Sequence, residues 1–175
     1  MYTAPDVVAK TLELNSNLVR MALEGLTGEE FLQQPKADCN PIAWLLWHMT
    51  RVEDSILSRF SGEPQVWIEG GWHERIQAPG GAEDAGMGNK MEQVCAFRAG
   101  KEDLLAYAEA VRQNTQDILP AISTEMLTAK VENPPSPAVQ RQGDFLSILL
   151  TDYSHHAGQI CYLRGYIKGA GWLPF

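Results

Sequence analysis

Residues 143–168 read GDFLSILLTDYSHHAGQICYLRGYIK, a stretch free of proline and followed by Gly169. At about 100° per residue, Phe145, Ile148, Leu149, Asp152, His156, Gln159 and Leu163 fall on one stripe, which predicts a long helix with Gly169 as its C-terminal cap. Asp152 and His156 are one turn apart and share the face that should meet a core. A carboxylate buried alone costs several kcal/mol even after relaxation, so it needs a cation, a hydrogen-bonding partner or a metal. His48, inside another apolar stretch, can close a three-ligand site from a neighbouring helix. On spacing alone, a buried Asp–His pair completing a polar core layer stands beside the metal reading. His155 projects about 60° from Asp152. It is a support for the ligands, a substitute ligand or a polar residue at the helix flank.

Working outward, the remaining segments also read as helices. Residues 5–26 carry Val7, Val8, Leu12, Leu18, Met21 and Ala22 at mostly helical intervals, and Thr27 and Glu30 have capping-box spacing. Asn40 as N-cap and Pro41 at the first helical position open a second long helix, through Ile42, Leu45, Met49, Val52 and Ile56 to Phe60, with Gly62 as its stop. A third is expected from about Asn89 through Val111, weakened at Gly100. A short helical turn near residues 123–130 precedes Pro134, Pro135 and Pro137, which exclude regular helix. Four long helices without an alternating strand pattern predict an all-α, four-helix bundle. The chain, 1–175, is one domain with a long crossover connection between helices two and three.

That connection, residues 62–88, interleaves seven glycines with Trp67, Trp72, His73 and Arg75. It is too long for a simple turn and too aromatic for a linker, which suggests a segment covering the site mouth, with those four side chains against substrate. A surface loop packed on the bundle end by its tryptophans is the plainer alternative.

Charge and composition exclude several partners. Twenty-two acidic residues against 14 basic ones give a net charge of −8, which disfavours nucleic acid and anionic lipid. The opening MYTAPDVVAK lacks a basic-then-apolar leader, and no run approaches the roughly 20 apolar residues that span a bilayer, so a cytoplasmic protein is expected. The three cysteines have no CxxC spacing, which suggests free thiols rather than a disulfide framework or zinc ribbon. Leu146, Leu150 and Tyr153 lie off the core stripe and suggest an outward apolar face for a homodimer.

Residues 40–49, NPIAWLLWHM, and 156–164, HAGQICYLR, resemble the two signature helices of the DinB-like superfamily. The family pattern places one histidine midway along the second helix and a pair of ligands four apart on the fourth, and His48 and His156 match two of these positions. Asp152 stands where histidine is commoner; the branch that resembles mycothiol-dependent maleylpyruvate isomerase has glutamate there. The resemblance therefore implies a divalent metal, zinc or nickel, held by His48, Asp152 and His156. It also implies a thiol-using transferase or isomerase, in which a low-molecular-weight thiol cosubstrate attacks a small-molecule electrophile. A metal-dependent hydrolase, and a stress-associated protein that binds metal or a small molecule without turnover, are the alternatives.

Overall fold

The computed structural model describes residues 2–173. Among them four helices are long: α1 (Ala4–Leu23), α3 (Ile42–Ser61), α7 (Lys101–Ile118) and α9 (Gln142–Lys168). Between them lie shorter helices, α2 (Gly28–Leu32), α4 (Val66–Glu69), α5 (Trp72–Arg75), α6 (Met91–Ala96) and α8 (Thr124–Thr128). No strand occurs among the described residues, and one isolated antiparallel bridge joins Lys130 to Arg141.

The ends follow local chemistry. Thr3 and Asp6 form a capping box at the start of α1, Thr27 and Glu30 one at α2, and the left-handed Gly62 (φ 75°) stops α3. Pro41, rather than Asn40, is the N-cap residue of α3, one position later than the sequence predicts. The expected third helix is two. Phe97 and Ala99 are buried in the break, and Gly100 caps α7, whose first turn carries Glu102 and Asp103 toward the positive end of the helix dipole. Asn89 does not cap α6. Its side chain is taken up by Asp84 and Trp44.

α3 is the hub, packed against α7 on one side and α9 on the other, with α9 also lying on α1. Its buried face includes Ile42, Leu45, Trp47, Met49 and Leu57, and its burial extends to His48, Arg51, Glu53 and Asp54. Such groups are tolerated inside only with partners. Glu53 accepts from Arg112 (2.9 Å) and Thr115 (2.6 Å); Asp54 accepts from the Val66 and Trp67 amides and from the Tyr107 hydroxyl. Burial pushes the Glu53 carboxyl up, with Arg112 and Thr115 pulling the other way.

On α9 the buried set is Phe145, Leu146, Leu149, Tyr153, Ala157, Ile160 and Leu163. This corrects the expected stripe. Ile148 and Gln159 are exposed, because α9 is wedged between α1 and α3 and its core face is rotated toward Leu146 and Tyr153. Those two residues are therefore interior, and the outward apolar face suggested for a homodimer is not formed by them.

Candidate metal centre

His48, midway along the hub helix, meets Asp152 and His156 from α9. The Nε2 atoms of His48 and His156 each lie 3.5 Å from Asp152 Oδ1. One ligand atom from each residue lies within 4.8 Å of the other two. The imidazoles meet edge to face, with centroids 5.0 Å apart.

Each ring is oriented from behind. His48 Nδ1 faces the Ala85 carbonyl at 2.5 Å and His156 Nδ1 faces Gln159 Oε1 at 2.7 Å. A carbonyl oxygen only accepts, so both Nδ1 atoms carry the proton and both Nε2 lone pairs turn toward Asp152. His48 is further stacked on Trp44, at 4.9 Å and an interplanar angle of 15°. Two bare nitrogens facing a carboxylate make a cluster of acceptors. Burial alone would raise the Asp152 pKa; when a proton sits on Nε2 in the metal-free protein, hydrogen bonds from His156 and His48 outweigh burial and hold the carboxyl well below its usual range. Burial likewise works against the His156 cation, and Asp152 and Gln159 together raise its pKa above the ordinary 6.5.

These residues fit a divalent cation. Asp152 Oδ2 is buried with no hydrogen-bond partner, and such an orphaned acceptor beside two oriented imidazoles is what a cation would satisfy. Two histidines and one carboxylate are a ligand chemistry suited to zinc and to nickel. His155 stands outside this group, exposed on the flank of α9.

The glycine-rich connection packs its large side chains on the bundle and on one another. Trp67 is fully buried against Trp47 and Tyr107. Trp72 packs on Tyr107, His73 lies against the Trp67 carbonyl, and Arg75 stacks on Trp72 while pairing with Asp103. Trp67, Trp72 and Arg75 therefore tie the connection to α3 and α7, and His73 packs on Trp67 within the connection. The part that reaches His48 is Ala85 and Gly86, which sequence reasoning missed. Gly86 (φ 85°) passes so close that a Cβ there would lie 2.8 Å from both His48 Nδ1 and the Trp44 ring. Asp84 fixes this turn by accepting from the Gly80 and Gly86 amides and from Asn89, while Arg51 donates to its carbonyl at 3.1 Å. The only sequence signal was the cluster of Asp84, Gly86, Gly88 and Asn89, ordinary turn formers.

A helical bundle that converges two imidazoles and a carboxylate from its second and fourth long helices defines a class of bundle with a candidate metal site. The chain belongs to the DinB superfamily, whose family model matches residues 11–160. A crystal structure described as the conserved protein of locus from Enterococcus faecalis has a similar fold, with a TM-score of 0.85 at 22% identity over 96% of this chain and 99% of that one. Among curated proteins, none matches the chain. No helix of the described residues is long and apolar enough to cross a membrane.

Proposed function

We propose that this DinB-superfamily protein binds a divalent metal, zinc or nickel, through His48, Asp152 and His156, and uses a low-molecular-weight thiol to attack a small electrophile, as an S-transferase or isomerase. The observation that carries the reading is the convergence of three acceptor atoms with both Nδ1 protons turned away. Asp152 contributes one negative charge and the neutral histidines none. A divalent cation held there supplies the positive charge that keeps a thiol ionised near neutral pH. Ala85 and Gln159 hold the two imidazoles in the tautomer that ligates, and Trp44 with Gly86 screens His48 from water. The other carboxylates of the hub helix are committed elsewhere, Glu53 to Arg112 and Thr115, Asp54 to Tyr107 and the amides of α4. This favours thiol transfer over hydrolysis, which calls for a general base to activate water.

The test begins with elemental analysis of the purified protein, then incubates the metal-loaded chain with cellular thiols and 1-chloro-2,4-dinitrobenzene, alongside His48→Ala and His156→Ala. Thiol-dependent turnover lost in both variants is the expected result. Turnover that survives both, or ester hydrolysis without thiol, overturns the reading.

A further inference from the structure

A groove of about 520 Å³ lies beside the triad, between residues 35–40, the first turn of α3 and the C-terminal half of α9. Its position relative to the metal ligands follows from helical register. Leu45, on its wall, is one turn before His48; Gln159 and Leu163 are about one and two turns beyond His156. Since His48 faces Asp152 and His156 across the two helices, the groove continues the line of the triad. Gln159 belongs to both, with Oε1 against His156 Nδ1 and its side chain forming part of the groove wall.

The lining has a definite chemistry. Pro35, Leu45, Leu163 and the Tyr162 ring supply apolar wall, and the polar side chains are Cys39, Asn40, His155 and Gln159 with the Tyr162 hydroxyl. None of its lining residues is Asp, Glu, Lys or Arg. In a chain where 21% of residues are charged, a groove without Asp, Glu, Lys or Arg, about one helical turn from the ligand set, sorts a ligand by parts. A charged group along it would lose hydration without gaining an ionic partner. An apolar body would gain from leaving water, and the volume lies within the range of small-molecule sites.

We infer that this groove binds the uncharged alkyl or aryl body of the substrate, whose anionic or electrophilic head is then held at His48, Asp152 and His156. The inference rests on the metal-dependent reading of the triad, and it makes the substrate a small amphiphile rather than a peptide, nucleotide or sugar phosphate. His155 and Tyr162 form the outer lip, and Gln159 registers the body against the head.

The probes are acetohydroxamate, butanohydroxamate, hexanohydroxamate and octanohydroxamate, which share one metal-binding head, titrated into zinc-loaded protein by calorimetry. Affinity is expected to rise about two- to fourfold per methylene along the series. In Gly158→Leu, the added side chain enters open space on α9, where a Cβ at this position meets nothing within 4 Å, and fills the groove. There the gain with chain length is expected to disappear while zinc affinity, read by chelator competition, stays within twofold. A flat series in the parent protein, or an undiminished slope in Gly158→Leu, overturns the inference. Failure to bind zinc at all would count against the proposed function instead, and the groove is then read with octanohydroxamate on zinc-free, 15N-labelled protein. Amide shifts confined to Gly158, Gln159 and Leu163 support the groove, and shifts elsewhere or none overturn it.

Discussion

His48 is confined on several sides, by the Trp44 face, the Ala85 carbonyl and the bare backbone of Gly86. Gly86→Ala places a methyl where none fits, at a φ that alanine rarely adopts. It should cost about 1–3 kcal/mol of stability and lower metal affinity by roughly 10- to 100-fold, as loss of a ligand-orienting contact does. Thermal melts and chelator competition check both, and wild-type values in each would remove Gly86 from the site. The His156 shift sets a pH dependence. Its folded pKa is raised, so its contribution to the metal-free protein is complete below the unfolded value of about 6.5 and is lost as pH rises through the folded one. Denaturant titrations of the metal-free chain from about pH 6 upward should therefore show falling stability, with a weaker slope in Asp152→Asn. The three candidate ligands were legible because a carboxylate and an imidazole one turn apart on an apolar helix are rare residue types in a costly place. Ala85 was not, since a backbone carbonyl has no residue type to announce it.

Elements were legible where periodicity alone fixes them, as in α3 and α9, and failed where tertiary contacts decide. The break between α6 and α7 is made by burying Phe97 and Ala99, and the rotation of α9 is made by having neighbours on two sides. The connection from α3 to α6 shows the same limit. Its tryptophans announced importance without saying whether they face substrate or core. What holds its later part is Arg51, 3% exposed, which donates to Asp84 O and Gln65 Oε1 and lies over the Trp67 ring at 4.7 Å. Arg51→Met should cost about 3 kcal/mol, the scale for breaking a buried charged network. Amide exchange should accelerate at residues 80–89 ahead of the helices, and metal affinity should fall with it because Ala85 is carried by that segment. Unchanged exchange there would show that Asp84 and its own hydrogen bonds suffice.

For the molecule as a whole, the bundle was legible from four apolar stretches and the pairing of α3 with α9 from the expected three-ligand site, while the packing of α3 on α7 was not, because spacing within one helix does not reveal its neighbours. On the proposed metal site, the pairing of α3 with α9 ties stability to the ion. Zinc at 100 times its dissociation constant should stabilise the protein by about 2.7 kcal/mol against unfolding, and chelation should reverse the gain. His48→Ala should melt at one temperature with or without zinc; a retained zinc-dependent shift would place the ion elsewhere. The wide separation of the ligands along the chain has a further consequence in time. Roughly a hundred residues lie between His48 and Asp152, so on a ribosome adding about 5–20 residues per second the first ligand emerges about 5–20 s before the other two. During that interval the candidate site is incomplete, one ligand standing without the other two. On the proposed function, choice among the cell's metals therefore falls to the finished fold, after translation has passed α9.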